Sequence, residues 1–285
     1  MPESRSGNGD IGWASTNALV EGLRVPKRGP RLSRIEIDAH SSDDDDRAAH
    51  LIEVTATTSS IGKTEVVRIT LPSGTEAELD ASASDATMGL VIAPDIWSLR
   101  PLYDDLVARL AREWNMAVCA VEPFPGRVIP LEMEPRMRAV ATLDDSRHLR
   151  DLEQAADALG TARVGLMGFC LGGMYCFKSA ISDRFARIAS FYGMIRVPQN
   201  WRSPTQGEPL DYLRDGDASK VLAIIGTKDP YTPPADVAEL RSVGCSVVEY
   251  EGAEHAFAHD PTRPSHRPVD AADAFARARD WLRRG

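Results

Sequence analysis

An open, mostly parallel α/β sheet with helices on both faces is the fold class this sequence predicts. Three observations lead there. Short, continuous apolar runs recur at residues 89–93 (GLVIA), 117–121 (AVCAV), 164–167, 188–192 and 221–225 (VLAII), as in strands covered on both faces. Stretches with helical spacing of apolar residues lie between them, and strands alternating with helices imply parallel crossovers. The third observation is Gly168-Phe169-Cys170-Leu171-Gly172, which ends one apolar run and opens a helical stretch at residues 173–180.

Taken in order, the chain begins with its least patterned part. Residues 1–62 are rich in Gly, Ser, Arg and Asp, and 41–46 read SSDDDD, the composition of a solvated loop or tail. They are expected to form an N-terminal extension, with a short strand at 51–55, ahead of a main domain at 63–285. Residues 65–71, the turn Pro72-Ser73-Gly74 and residues 75–83 read as a hairpin by alternation and turn chemistry. Leu102, Leu106 and Leu110 place a helix over 101–114, and 136–159 reads as one or two helices. Residues 246–250 complete the strands, and helices are expected at 235–243 and 269–284. The segment 196–217 carries Pro198, Pro204 and Pro209 without a clear period. It is expected as a long insert, serving either as a lid or substrate wall or as a plain surface loop.

Composition bounds the function. The chain has 285 residues, 43% hydrophobic and 26% charged, enough for one large domain or a domain with an appendage. Its net charge of −9 disfavours nucleic acid and anionic membrane surfaces as partners. It contains no apolar run long enough for a membrane span, and its first residues lack the pattern of a secretory signal. Cys119, Cys170, Cys176 and Cys245 are scattered and form no C-x-x-C, which fits reduced thiols in a cytoplasmic enzyme better than disulfides or a metal site.

The chemistry concentrates at Cys170. Strand, sharp turn and helix are the setting of a nucleophile elbow, G-x-S-x-G, here with cysteine in the serine position. Glycines flank the nucleophile because the turn is too tight for side chains. A thiol at the mouth of a helix meets unpaired N–H groups and a dipole that favour the thiolate. The Leu171 N–H would be free to bind an oxyanion. The bland alternative is a small buried cysteine.

A nucleophile of this kind needs a base and an orienting acid, which follow it in chain order, each on a loop after a strand. His255 follows the strand at 246–250, and Asp229 follows the strand at 221–225; Asp236 and Asp260 are less well placed. A second oxyanion donor is expected from the loop after GLVIA, where the candidate is the Ile96 N–H. Asp95 in that loop either contacts the thiol or caps the following turn.

Four segments together resemble the dienelactone hydrolases: Gly-Phe-Cys-Leu-Gly-Gly at 168–173, Asp-Ile-Trp at 95–97, Gly-Thr-Lys-Asp-Pro at 226–230 and Glu-His-Ala-Phe at 254–257. The resemblance spans about residues 65–284. It implies an α/β-hydrolase fold, a Cys170–His255–Asp229 triad, no cofactor, and hydrolysis of a small ester or lactone. Asp95 stands where the family has a glutamate that contacts the resting cysteine. Of the two arginines that clamp a substrate carboxylate in the dienelactone enzyme, Arg127 would supply the first. His259 falls at the second position and Trp97 lies beside the site, so both are candidate substrate contacts. The partner expected is a small molecule, with the chain a monomer or small homo-oligomer. The competing readings are a carboxylesterase, thioesterase or acyltransferase on this fold, or a binding protein with a vestigial site. A redox sensor is disfavoured, since Cys176 would face away from Cys170.

Overall fold

The computed structural model describes residues 66–83 and 86–284. The expected extension at 1–62 and its strand at 51–55 lie outside the described residues.

The described chain opens with the expected hairpin, β1 (Val67–Thr70) and β2 (Glu76–Asp80), paired antiparallel. Gly74 closes its turn at φ 84°, a left-handed conformation that glycine adopts without a Cβ penalty. Then follow β3 (Met88–Ala93), α1 (Pro101–Trp114), β4 (Ala117–Val121), α2 (Met133–Val140), α3 (Asp145–Ala158), β5 (Arg163–Phe169) and α4 (Leu171–Lys178). The last third holds β6 (Arg187–Phe191), α5 (Pro209–Asp215), β7 (Val221–Gly226), α6 (Pro234–Ser242), β8 (Ser246–Tyr250) and α7 (Pro268–Leu282).

The eight strands of the described residues form one sheet in the order β1-β2-β4-β3-β5-β6-β7-β8. The two hairpin strands join it antiparallel, and β2 carries them onto β4. Every later pairing is parallel. The chain crosses from β3 to β4 on one side and from β4 back to β5 on the other, so the strand order reverses at β3. In open sheets of this kind the crevice beyond the carboxyl ends of the strands at the reversal is where ligands bind. Here those ends carry Asp95 and Cys170.

Alternating residues of the strands feed two cores. Val91, Leu166, Ile188 and Ala223 meet the α2–α6 side through Val140, Leu152, Met174, Leu213 and Leu240. Leu90, Ile92, Met167 and Phe169 meet α1 and α7 through Leu106, Leu110, Ala274 and Phe275. Each such side chain stabilises the fold by about 1.5–3 kcal/mol when removed from water, which is why the central strands read as unbroken apolar runs. β8, at the sheet edge, is only partly buried.

Local signals explain the helix ends. Pro101, Pro234 and Pro268 each open a helix, where the missing N–H costs nothing. Asp144 caps α3 by accepting from the Arg147 N–H. The insert at 196–217 differs from its irregular expectation: it contains α5, whose Leu210 and Leu213 are buried one turn apart. A seven-residue helix has too few turns to show a period in sequence. The insert is tied down by Asp145, which accepts from the Gly207 N–H, the Tyr212 hydroxyl and, through both oxygens at 2.8 Å, the fully buried Lys178 of α4. Among the described residues no helix is long and apolar enough to cross a membrane.

Candidate active site

Cys170 sits between β5 and α4 with φ 54° and ψ −112°, a region that non-glycine residues rarely occupy. Such a conformation costs on the order of 1–3 kcal/mol and persists only where the surroundings hold it. Here the Cys170 N–H donates to Phe191 O at 3.0 Å, and its carbonyl accepts from the Met174 N–H at 3.0 Å. Helix α4 therefore starts at Leu171 rather than at 173, with the thiol at its mouth. Close packing explains the glycines. A Cβ on Gly168 would lie 2.3 Å from Gly172 O, and one on Gly172 would lie 1.9 Å from Ala93 O. The second contact draws the elbow against the end of β3, so that the loop 94–98 lies beside Cys170.

The sheet brings in two more groups. Asp229, buried in the turn after β7, accepts from the Tyr231 N–H through one oxygen at 2.9 Å and meets His255 Nδ1 with the other at 2.8 Å. A carboxylate only accepts, so Nδ1 carries the proton and Nε2 is left available. Among the described residues that buried Nε2 meets no nitrogen or oxygen partner, and the Cys170 sulfur is its neighbour. Burial opposes the charging of His255, but the Cys170 sulfur and Asp229 outweigh it and raise the imidazole well above its ordinary pKa. The ring is held edge-on between Tyr192 and Tyr231, at 5.3 and 5.0 Å between ring centres. The two loops meet because Gly226 lets Ala253 O approach to where a Cβ would be 2.3 Å away.

The loop after β3 is heavily tied. The Asp95 N–H donates to the Tyr103 hydroxyl at 2.7 Å, the Trp97 N–H to Asp95 Oδ1 at 3.0 Å and the Ser98 N–H to Asp95 O at 3.3 Å. Among the described residues this leaves the Ile96 N–H as the loop's donor without a protein acceptor. Asp95 thus caps the turn, the second of its two expected roles. Its carboxylate also receives both Arg100 Nη atoms, at 2.7 and 3.0 Å, and His259 Nε2 at 2.8 Å. Despite burial, His259 and Arg100 hold the Asp95 carboxyl far below the usual range. With both oxygens engaged, it is not poised as a base for the thiol.

His259 departs from its expectation as an anion contact. Its side chain is fully buried, with Nε2 donating to Asp95 and Nδ1 accepting from the Tyr192 hydroxyl at 2.5 Å. Burial lowers its pKa despite Asp95, and with both nitrogens engaged the ring bridges Asp95 and Tyr192 with neither left for a substrate. Arg127 stands exposed after β4, its Nη1 donating to Thr142 Oγ1 at 2.6 Å. Trp97 is half-buried, its ring 5.5 Å from the Arg136 guanidinium. Arg100, Arg136, Tyr192 and Tyr231 were not anticipated from sequence: arginines at helix starts and tyrosines after strands are commonplace, and only tertiary pairing singles them out.

The sequence profile of the Dienelactone hydrolase family matches residues 77–285, nearly the whole described chain. The chain belongs to the dienelactone hydrolase family. Like that family, it is a hydrolase acting on ester or lactone bonds. It is 27% identical over 210 residues to a Bradyrhizobium sp. protein described as a candidate 2-oxo-3-(5-oxofuran-2-ylidene)propanoate lactonase, covering 68% of this chain and 82% of that one. It is 27% identical to carboxymethylenebutenolidase 2 of Cupriavidus pinatubonensis, over 63% of this chain and 78% of the relative. A Klebsiella pneumoniae structure described as a candidate dienelactone hydrolase superposes with a TM-score of 0.68 at 23% identity, over 76% of this chain and 98% of that one. That likeness supports the fold of this dienelactone hydrolase family member, the α/β-hydrolase arrangement. A separate groove of about 550 Å3 runs between α1 and α7, lined by Leu106, Trp114, Phe275 and Arg279, and none of Cys170, Asp229 or His255 borders it.

Proposed function

We propose that the protein hydrolyses a small ester or lactone through Cys170, with His255 as base and Asp229 as its orienting acid. The observation that carries this reading is the buried His255 Nε2, which no described nitrogen or oxygen engages and which faces the Cys170 sulfur, on a ring whose other nitrogen is held at 2.8 Å by Asp229. In the first half-reaction, Nε2 takes the thiol proton and the sulfur attacks the ester carbonyl carbon. The carbonyl oxygen gains negative charge, and the Leu171 and Ile96 N–H groups receive it, each such donor contributing about 3–4 kcal/mol in comparable sites. The tetrahedral species collapses to an acyl-thioester, and the His255 imidazolium protonates the departing alkoxide or enolate. Water deprotonated by His255 then attacks the thioester, releasing the acid and restoring the thiol.

The names of the relatives support a lactone as substrate, with Arg127 the candidate contact for a substrate carboxylate and Trp97 a wall beside it. Soluble cytoplasmic operation on a freely diffusing small molecule fits the charge and composition. The reading is tested with p-nitrophenyl acetate and a panel of lactones on wild type, Cys170→Ala and Arg127→Ala. Cys170→Ala is expected to lose essentially all turnover with an unchanged circular dichroism spectrum. Arg127→Ala is expected to lose activity selectively on carboxylate-bearing substrates. Full turnover by Cys170→Ala would refute the nucleophile.

A further inference from the structure

Arg136 is the buried cation that the chemistry above leaves unused. It lies in α2, only 4% exposed, and forms no ion pair with any described residue. Its hydrogen bonds to described residues go instead to two loops. Nη1 donates to Ile96 O at 2.8 Å and to Ser98 Oγ at 3.0 Å, Nη2 donates to Ile129 O at 2.9 Å, and Nε donates to Pro130 O at 3.0 Å. A buried guanidinium spent on neutral acceptors is costly unless the geometry it imposes matters.

We infer that Arg136 is the positioning residue of the oxyanion hole, aiming the Ile96 N–H by pinning the peptides around it. The peptide joining Ile96 to Trp97 is held at both ends, its carbonyl by Arg136 and its N–H by Asp95 Oδ1. The peptide entering Asp95 is held by the Tyr103 hydroxyl. Between these two lies the Asp95–Ile96 peptide, which carries the free N–H and whose direction the flanking planes dictate. Ser98, immediately beyond, is kept at φ 67°, a strained value for serine, with its hydroxyl on the same guanidinium. The planar fork of arginine serves here as lysine does not, because four acceptors on two loops must be met in fixed directions. Through Ile129 and Pro130, the same fork ties the oxyanion loop to the loop bearing Arg127.

This inference rests on the proposed hydrolytic reading, and the test separates the two. Two reactions of Cys170 are compared in wild type, Arg136→Ala and Arg136→Lys: acylation by p-nitrophenyl acetate, which builds an oxyanion, and alkylation by iodoacetamide, which does not. In Arg136→Ala, acylation is expected to fall by roughly 10²-fold, the lower end of the cost of losing one oxyanion donor outright. KM should stay within a few-fold and the alkylation rate within about twofold of wild type. Arg136→Lys should recover only part of the loss, and added guanidinium ion should raise acylation in Arg136→Ala but not in wild type. If Arg136→Ala does not fold, Arg136→Lys carries the same comparison. Unchanged acylation overturns the inference and leaves the nucleophile intact, and a parallel fall in acylation and alkylation overturns it as mere structural support. Absence of Cys170-dependent acylation in wild type instead refutes the hydrolytic reading.

Discussion

Replacing Gly172 with alanine probes the contact that joins the elbow at Cys170 to the loop 94–98. A Cβ there would lie 1.9 Å from Ala93 O, 2.4 Å from Ala93 C and 2.6 Å from Pro94 O, all backbone atoms at the end of β3. Real Cβ contacts stay beyond about 3 Å, so α4 and β3 must part by about 1 Å. No side chain can rotate out of the way. Overpacking of this kind costs about 1–3 kcal/mol. The displacement also falls on the two segments proposed to receive the oxyanion through their N–H groups, Leu171 on one side and Ile96 on the other. A misplacement of about 1 Å at a reacting centre costs on the order of 10²-fold in rate. Gly172→Ala should therefore lower kcat on p-nitrophenyl acetate by about that factor, with KM little changed and the midpoint of thermal unfolding reduced. Gly160→Ala is the control: its φ is 64° and nothing lies within 4 Å of the added Cβ, so it should lose stability alone. Wild-type kcat and wild-type thermal stability in Gly172→Ala would refute the close-approach argument.

Three further outcomes follow from the buried charges. Asp229→Asn should lower kcat/KM by roughly 10²–10⁴-fold, as loss of the orienting acid does in comparable triads. It should also lower the His255 titration midpoint read by NMR, because Asp229 is one of the groups that raise it. Glu78, paired with Arg68 but almost wholly buried, has its carboxyl pushed up to about 8 by burial and by Asp104, which outweigh the arginine. The folded state then holds a proton that the unfolded state has released, so stability falls as pH rises from about 4.5 to about 8. Glu78→Gln should remove that slope, its stability relative to wild type rising between pH 5 and pH 8 in urea titrations; a pH-independent difference would contradict it. Lys178→Met should destabilise the chain by about 3–5 kcal/mol in the same assay, since it leaves Asp145 buried without its cation, and Lys178→Met with Asp145→Asn should recover part of the loss.

The elbow was legible in sequence because its geometry has no substitute: a residue at positive φ, pressed between a strand end and a helix, requires glycine at 168 and 172. Asp229 and His255 could be picked out because a parallel sheet delivers its loops to one edge in a fixed chain order. The apolar runs gave the central strands nearly to the residue, since burial on both faces leaves little choice of side chain. What remained hidden depends on contacts between distant segments. His259 reads as a loop histidine open to a substrate anion until Tyr192, itself at φ 39°, and Asp95 enclose it. Arg136 looks like any helix-surface arginine, and nothing in its neighbours announces four carbonyl and hydroxyl acceptors gathered from two other loops. Asp95 illustrates a third case, in which both roles were open and the choice rested on Arg100 and His259 arriving at its carboxylate.

The central claim, a thioester formed on Cys170 and resolved by His255, is tested most directly by quenched-flow mass spectrometry during turnover of p-nitrophenyl acetate. The account predicts an acetyl mass increase confined to the peptide bearing Cys170, removable by hydroxylamine, absent in Cys170→Ala and accumulating in His255→Gln once the enzyme is slowly acylated. Continued turnover in Cys170→Ala, or an acetyl group carried on another residue, would contradict it.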